Sequence, residues 1–362
     1  MNRVTLAVAG SRKTQSIVDA CTTGAPGIRR LALTYTRTGQ AELEGRLRQV
    51  CSPGAVPEVM GWFSFLLRHV ARPYLPRKFP GVRLRGLNFE GAPEGGRYAS
   101  GRARYFDSEG RAYRLHLSKL AQEVSEASGG AVIDRLSHVY DEIYIDEVQD
   151  LTGCDLHIVK QLMDCPHIDV YMVGDVRQSV FDTNPQDPNL RQYRGVKMLD
   201  WFELHRSAGL LDVQHNAETW RSNQAVADFS DTLFPASQFS FEPTVSKQSV
   251  VTGHDGVFAI RDVDAAAYLR AFSPQPLRAS TATARDVDLP FLNFGKVKGL
   301  TFDRVIIYPT GPITAFLTEG TELKPKTACG LYVAVTRARY SVAFVVPDPS
   351  ATALQPWSPA VV

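Results

Sequence analysis

Short apolar runs alternate with segments of helical periodicity along most of this 362-residue chain. Parallel strands need long crossover connections, which are usually helices, so this alternation is typical of α/β folds with parallel sheets. In the first half the pattern predicts strands at 4–9, 31–36, 143–145 and 168–173, and helices at 14–21, 40–50, 117–127, 131–140 and 154–164. The fold class that follows is α/β.

A second series of the same kind begins near residue 209. It predicts strands at 256–261, 304–308 and 341–346, and helices at 223–234, 263–272 and 326–336. The length suffices for two domains with separate cores. We expect a first domain at 1–210, a second at 211–346, and a loosely ordered tail at 347–362 that is rich in Pro, Ser and Ala.

The composition is that of a globular protein, with 44% hydrophobic and 22% charged residues. No apolar run is long enough to cross a bilayer and no leader is visible at Met1, so we expect no membrane partner. Five scattered cysteines fit reduced thiols and a cytoplasmic location. A formal charge of +2 favours neither the presence nor the absence of a nucleic-acid partner.

The apolar run 143–145 leads directly into the acidic pair Asp146-Glu147. A charge in the middle of a buried parallel strand is too costly, so carboxylates are expected where the strand ends at a crevice. Two acids there suit a nucleotide's magnesium, because one can hold the ion and the next can act on the attacking water. A capped strand end followed by a polar turn explains the pair equally well.

The first strand leads into Gly10, Ser11, Arg12, Lys13 and Thr14. A strand, a loop of small residues and a Lys-Thr pair that opens a helix are typical of a phosphate-binding loop. Gly is expected directly before the lysine, but Arg12 stands there. Alone, this segment is better interpreted as a basic surface turn; together with the acidic pair, the phosphate loop becomes the better interpretation.

Further polar groups follow predicted strands or lie at the ends of helices. They are Asp175 and Gln178, the run Thr219-Trp220-Arg221-Ser222, the run Lys298-Gly299-Leu300, and the run Thr336-Arg337-Ala338. A lone arginine in such a place is more often part of a surface ion pair than of a catalytic site.

Residues 71–116 hold ten basic and four acidic residues, a local net charge of +6, with seven interleaved Phe and Tyr rings. Residues 102–106 and 111–116, which flank the turn 107–110, predict a β-hairpin. Basic groups with exposed rings suit a single-stranded nucleic acid. A solvated hairpin with its rings packed beneath it is an equal alternative.

Taken in order, these segments resemble the motif series of superfamily 1 helicases of the UvrD/Rep type, across residues 5–345. Residues 32–36 and 61–65 also match segments of that series. The most specific pieces are Asp146-Glu147-Val148-Gln149-Asp150, Gly174-Asp175 with Gln178-Ser179, Lys298-Gly299-Leu300, and Val335-Thr336-Arg337-Ala338. The resemblance implies two RecA-like P-loop NTPase domains with parallel sheets, with a small basic β-hairpin and helical insertion at about 71–130 in the first.

The resemblance also implies the site. Lys13 and Thr14 would bind the phosphates, with Thr14 and Asp146 holding Mg²⁺, and Glu147 would polarise the attacking water. Gln178 would sense the terminal phosphate, and Arg221 and Arg337 would act as arginine fingers. The implied nucleotide-binding residues are Gly10, Ser11, Arg12, Lys13, Thr14, Trp220 and Gly299, and the implied DNA-binding residues are Tyr35, Thr36, Phe63, Ser64 and Lys298.

The implied function is ATP-driven stepping along single-stranded DNA, 3′ to 5′, with ATP and Mg²⁺ as cofactors. Robust unwinding is less expected than translocation, since residues 222–297 leave no room for a large accessory insertion. A nuclease partner is a further hypothesis. Trp220 stands where the family has an aromatic ring that stacks on adenine, and an anchoring role between domains is its alternative. Core packing remains an alternative for Tyr35 and Phe63.

Some positions depart from the family pattern. Arg12 replaces a glycine, Gly295 and Thr301 stand where His and Glu are common, and residues 182–184 replace a Trp-Arg pair. No Gln-containing segment precedes the first strand, so base selectivity for ATP is an open question. If the φ of Arg12 is helical, the residue is tolerated; otherwise we expect weakened nucleotide binding. The rival to the motor is a degenerate helicase fold that binds nucleotide or nucleic acid without turnover.

Overall fold

The computed structural model describes residues 1–23, 27–52 and 55–359, with the side chain of Arg97 left out. The chain forms two compact units. The first comprises 1–6, 13–174 and 182–214, and the second comprises 7–12, 175–181 and the chain from 215 onward. Two short loops, 7–12 and 175–181, are therefore grouped with the second unit although the strands before them lie in the first.

The described part of the first unit is built on alternating strands and helices, and it includes elements that the sequence did not predict. The strands are β1 (Arg3–Ala7), β2 (Arg30–Thr34), β3 (Glu58–Gly61), β4 (Gly86–Asn88), β5 (Arg111–Tyr113), β6 (Glu142–Ile145), β7 (Asp169–Gly174) and β8 (Asp212–Asn216). The helices are α1 (Lys13–Thr23), α2 (Arg37–Val50), α3 (Trp62–Phe65), α4 (Arg72–Lys78), α5 (Gly101–Tyr105), α6 (Arg114–Ala127), α7 (Ala131–Ser137), α8 (Cys154–Met163) and α9 (Met198–Ser207).

The main sheet of this unit has the order β3-β2-β6-β7-β1-β8, and β1, β2, β3, β6 and β7 pair in parallel. All five residues of β2 are buried, as expected for a strand covered on both faces. On one face, Ile17 and Val18 of α1 and Leu43 and Leu47 of α2 pack in one cluster that includes Ala32 of β2. This packing fixes the carboxyl ends of β1 and β6, where the candidate site lies.

The sequence did not predict β3 or the helical segment that follows it. Gly61 leads into α3, a π-helical stretch at Leu66–Ala71, and α4. Residues 62–71 are largely buried, so they lack the polar face by which an amphipathic helix is recognised. Helix α4 is short and contains Pro76, so it gives little helical signal of its own.

The predicted β-hairpin at 102–116 is wrong in its first strand. Residues 102–105 lie in helix α5, and only a single antiparallel bridge joins Phe106 to Ala112 across the turn. Strand β5 pairs instead with β4, in parallel. Tyr105 and Phe106 are buried and contact Phe79 edge-on, so these rings belong to a small core.

The second unit carries a second parallel sheet. The described strands of the second unit are β9 (Glu218–Thr219), β10 (Val245–Ser246), β11 (Gly256–Ile260), β12 (Gln275–Arg278), β13 (Leu292–Asn293), β14 (Phe302–Tyr308), β15 (Ala338–Val345) and β16 (Gln355–Pro356). All of them except β9 and β10 belong to the parallel sheet. The helices of this unit are α10 (Gln224–Thr232), α11 (Asp262–Phe272), α12 (Gly311–Glu319) and α13 (Pro325–Val335). The sheet order is β13-β12-β14-β15-β11-β16, with parallel pairing throughout.

The expected loose tail is partly ordered. Strand β16 adds to the edge of the second sheet, and the Trp357 amide donates to the Ala259 carbonyl at 3.0 Å. The Trp357 ring contacts Tyr268 and Phe272. Residues 360–362 of the predicted tail lie outside the described residues.

All five cysteines are free thiols. Across the helices of the described ranges, none combines the length and the apolar character that a membrane crossing requires.

Candidate nucleotide and single-strand site

The carboxyl end of β6 and the start of α1 form the candidate site of the first unit. Helix α1 begins at Lys13, as the phosphate-loop pattern predicts. The Thr14 hydroxyl donates to Oδ2 of Asp146 at 2.9 Å. The structure therefore brings together the hydroxyl and the carboxylate that the resemblance assigns to one magnesium ion.

Asp146 is buried, and burial makes its charged form less favourable. Burial, and after it the negative charge of Glu147, raises the pKa of Asp146 to about 7, against the opposing effects of Thr14 and Lys13. A cation at this point would offset the cost of the buried anion. Oxygen donors from a carboxylate and a hydroxyl are the ligands that magnesium prefers, so the residues fit that ion.

Glu147 has the backbone conformation of a strained site residue. Its φ of 56° lies in the left-handed region, which a glutamate adopts rarely. Gln149 donates from its side-chain amide to the Glu147 carboxylate. Gly174, at the end of β7, lies so close to this segment that a Cβ there would collide with Val148 and Gln149. The tight packing holds Glu147 in its strained conformation.

The loop before α1 belongs to the second unit and is fixed by hydrogen bonds within it. The Gly10 carbonyl accepts from the Trp220 amide at 3.0 Å, and the Ala9 carbonyl accepts from the Thr219 hydroxyl at 2.7 Å. The Ala9 amide donates to the Tyr332 hydroxyl at 3.2 Å. Gly10 has a φ of 79°, and a Cβ there would lie 2.6 Å from the Thr219 hydroxyl, so this position requires glycine.

Arg12 does not have a helical φ. Its φ is 64°, in the left-handed region that glycine occupies in this kind of loop. The Arg12 guanidinium lies over the Trp220 ring, with its carbon 4.0 Å from the centroid. Trp220 is 45% exposed, which does not fit a buried anchor.

Gln178 and Arg337 contact each other in the second unit. Nη2 of Arg337 donates to Oε1 of Gln178 at 3.0 Å, and Nε2 of Gln178 donates to Asp175 at 2.9 Å. Arg337 is only 1% exposed and also donates to the backbone carbonyls of Val333 and Leu300. The structure thus joins two residues that the sequence assigned separately to phosphate sensing and charge stabilisation.

The remaining predicted residues of the second unit are more exposed. Arg221 donates to the Thr336 carbonyl at 3.1 Å. The Lys298 ammonium lies 5.4 Å from the Phe181 ring centroid. Gly299 is exposed and has a φ of 88°.

The predicted DNA-binding residues of the first unit have mixed environments. Tyr35 and Phe63 contact edge-on at 5.9 Å, and Phe63 is buried. The Thr36 hydroxyl caps α2 by accepting from the Gly39 amide at 3.0 Å, so it has a structural role. Ser64 is partly exposed on α3.

The exposed ring of this cluster is Phe89, which sequence reasoning named only as part of the basic segment. It contacts Phe63 edge-on at 6.3 Å and is 51% exposed, while the Arg114 guanidinium lies 5.8 Å from the Phe63 ring. We call Tyr35, Phe63, Phe89 and Arg114 the aromatic patch. Arg111, in contrast, is engaged by Asp107 at 2.8 Å.

Sequence reasoning also missed the buried support of Gln178. Arg177 pairs with Asp175 at 3.4 Å and with Asp231 at 3.0 Å. Its guanidinium carbon lies 4.9 Å from the ring centroid of Phe241 and 4.8 Å from that of Tyr332. The only signal in the sequence was the position of Arg177 directly before Gln178. Asp231 and Phe241 are too distant in sequence to be linked to it without a structure.

The two parallel sheets define a protein with two RecA-like domains, and a solved structure supports this fold. The crystal structure of Arterivirus nonstructural protein 10 (helicase) matches with a TM-score of 0.50 and 15% identity, over 97% of this chain and 61% of that chain.

Residues 96–199 match the family described as the UvrD/REP helicase N-terminal domain, so the resemblance to helicases of the UvrD/Rep type is confirmed for this segment. An ATP-dependent helicase/nuclease subunit from Levilactobacillus brevis is 34% identical over 104 residues, which are 28% of this chain and 8% of that protein. The protein of the same description from Natranaerobius thermophilus is 30% identical over 106 residues, again 28% and 8%. The matched part is thus a small fraction of these curated relatives.

Proposed function

We propose that this protein is an ATP-dependent translocase on single-stranded DNA that moves 3′ to 5′. The observation that carries the proposal is the 2.9 Å hydrogen bond between Thr14 and the buried Asp146. It joins the start of α1 to the end of β6, the two places where a P-loop NTPase holds its magnesium. The domain division proposed with this function is 1–210 and 211–346, with an insertion at about 71–130 in the first domain.

In the proposed mechanism, Lys13 would supply positive charge to the phosphates, and Thr14 and Asp146 would hold the magnesium ion. Bound magnesium would neutralise charge that develops on the phosphate oxygens. Glu147 orients the attacking water and accepts its proton while the bond between the terminal phosphorus and the bridging oxygen breaks. Its backbone strain supports this role, since strain of this kind concentrates at functional sites.

In the loop before α1, the strongest evidence for phosphate binding comes from Ser11. Its side chain is only 6% exposed, and its hydroxyl has no hydrogen-bond partner among the described residues. Buried hydroxyls are normally satisfied, so a ligand oxygen is the partner we propose. Gln178, Arg221 and Arg337 are proposed to respond to the terminal phosphate and to stabilise its charge.

The aromatic patch is the proposed single-strand contact of the first unit. Phe89 offers an exposed ring on which a base can stack, and Arg114 supplies a charge for the phosphate backbone. In the second unit, Lys298 is the proposed backbone contact. Binding and hydrolysis of ATP would alternate the grip of these groups on the strand.

The direct test of directed movement is displacement of streptavidin from biotinylated single-stranded oligonucleotides. Movement from 3′ to 5′ should release streptavidin from the 5′ end, only with ATP and magnesium, while Lys13→Ala should release none. Release from the 3′ end alone would contradict the direction. Absence of ATP-dependent release from either end would contradict translocation.

A second candidate function is a sensor that binds nucleotide or nucleic acid without turnover. The left-handed φ of Arg12 and its contact with Trp220 favour it, because both depart from an open phosphate loop. Tight ATP binding together with no phosphate release, with or without DNA, would support the sensor. The polar side chains that a motor requires are present and favour the translocase: Lys13, Glu147, Gln178, Arg221 and Arg337.

A nuclease partner is also proposed, because the matched relatives are described as helicase/nuclease subunits. Affinity purification of the tagged chain from its native host should then retain a protein with nuclease activity. Recovery of the tagged chain alone would contradict the partner.

A further inference from the structure

We propose that Arg12 covers the ring face of Trp220 on which a nucleotide base would stack, so that base binding requires release of the Arg12 guanidinium. This inference rests on the proposed function, and it assigns Arg12 as the residue that sets the nucleotide affinity of the site. It predicts that the site holds the phosphate chain well and the base poorly.

The loop is placed against Trp220 by contacts that do not involve the Arg12 side chain. The amide of Trp220 donates to Gly10, and Thr219 and Tyr332 hold the backbone of Ala9. The absence of a side chain at Gly10 allows this close approach. Removal of the Arg12 side chain should therefore uncover the ring without moving the loop.

The spacing leaves no room for a base between the two groups. The guanidinium carbon is 4.0 Å from the ring centroid. A base stacked between them would need roughly twice the 3.5 Å contact distance of stacked atoms, about 7 Å. The guanidinium must therefore leave its present position before a base can stack on that face.

The backbone conformation keeps Arg12 beside the ring. Its φ of 64° is unfavourable for arginine, so the loop holds the residue there at a cost in local strain. Release of the guanidinium loses the cation–π contact with Trp220, and base binding must offset that loss.

The test compares ATP with inorganic tripolyphosphate, which has the phosphates but no base. Dissociation constants are measured by calorimetry with magnesium for the wild type, Arg12→Gly, and Arg270→Ala as a charge-loss control on the exposed face of α11. Arg12→Gly should bind ATP about 3- to 30-fold more tightly, the range of a lost cation–π contact. Its affinity for tripolyphosphate should not improve, and Arg270→Ala should resemble the wild type for both ligands.

A second measurement needs no nucleotide. Acrylamide should quench Trp fluorescence more strongly in Arg12→Gly than in the wild type, and the difference should vanish in a Trp220→Phe background. Glycine suits the left-handed φ, so Arg12→Gly is expected to fold.

The outcomes separate this inference from the proposed function. Equal or weaker ATP binding by Arg12→Gly, or equal quenching, would overturn the role of Arg12 while leaving an ATP-binding wild type in place. Equal tightening for ATP and tripolyphosphate would overturn it too, since the base would play no part. Binding of neither ligand by any form would contradict the proposed function itself.

Discussion

At the scale of single residues, strand-end rules gave the positions of polar residues in the elements but could not give backbone conformations. Asp146, Lys13 and Thr14 were expected at the ends of a strand and the start of a helix, and they lie there. The left-handed φ of Arg12 depends on contacts with residues more than 200 positions away, which no local pattern contains. Local sequence therefore predicted the residues of this loop and not its conformation.

The buried Arg177 is expected to be a large contributor to the stability of the second unit. Arg177→Met leaves Asp175 and Asp231 without their cation and should cost about 3–5 kcal/mol of unfolding free energy. The double variant with Asp231→Asn should cost less than the sum of the single changes. Urea denaturation measures both.

The matched control is the exposed pair Lys160–Asp164, at 2.7 Å. Lys160→Met should change the unfolding free energy by no more than about 0.5 kcal/mol, because exposed pairs contribute little. An effect of Arg177→Met as small as that of Lys160→Met would contradict the account of the buried network.

His254 should make stability depend on pH. Burial between Phe258 and Phe272, together with the positive charge of Arg304, lowers its pKa to about 4. The unfolded chain takes up this proton near pH 6.5 and the folded chain only near pH 4, so stability is lost as the pH falls through that window. His254→Gln should therefore lose less thermal stability than the wild type between pH 7 and pH 4.5. Parallel loss of Tm in both proteins would contradict the assignment.

At the scale of elements, periodicity predicted most strands of the two parallel sheets, but it predicted a β-hairpin in the basic segment 71–116 that the structure does not have. The strands β1, β2, β6, β7, β11, β14 and β15 were anticipated, because buried parallel strands give strong apolar runs. Of the helices, α1, α2, α6, α7, α8, α10, α11 and α13 were anticipated, whereas α3, α4, α5, α9 and α12 were not. The pairing of β4 with β5 joins residues 86–88 to 111–113, so it is not local. The turn at 107–110 was recognised, but residues 101–105 before it form a helix, and the rings of Tyr105 and Phe106 enter a core. Tertiary packing here overrides local propensity.

The aromatic patch gives this segment a testable function. Phe89→Ala should weaken binding to single-stranded DNA roughly 5- to 150-fold, the range of one lost base stack of about 1–3 kcal/mol. Fluorescence anisotropy with a labelled oligonucleotide at fixed salt measures this. Tyr98→Ala removes a more exposed ring outside the patch, at 78% exposure, and serves as the control. Equal effects of the two changes would show that Phe89 has no special part.

At the scale of the whole molecule, the proposed catalytic groups are distributed over two compact units. Lys13, Thr14, Asp146 and Glu147 belong to the first, whereas Gln178, Arg221 and Arg337 belong to the second. The expected domain division, 1–210 and 211–346, had placed Arg221 and Arg337 in the second domain but Gln178 in the first. Sequence order could not predict that residues 7–12 and 175–181 would be grouped with the second unit, since both follow strands of the first.

We propose that the protein is a motor driven by ATP and stimulated by single-stranded DNA. Phosphate release by the purified chain, with and without a single-stranded oligonucleotide, tests it most directly, with Glu147→Gln as the paired variant. We predict that DNA raises the rate several-fold in the wild type. Glu147→Gln should still bind ATP but lose at least about 100-fold in turnover, the lower range for a lost general base. Turnover that DNA does not stimulate, or that Glu147→Gln leaves unchanged, would contradict the account.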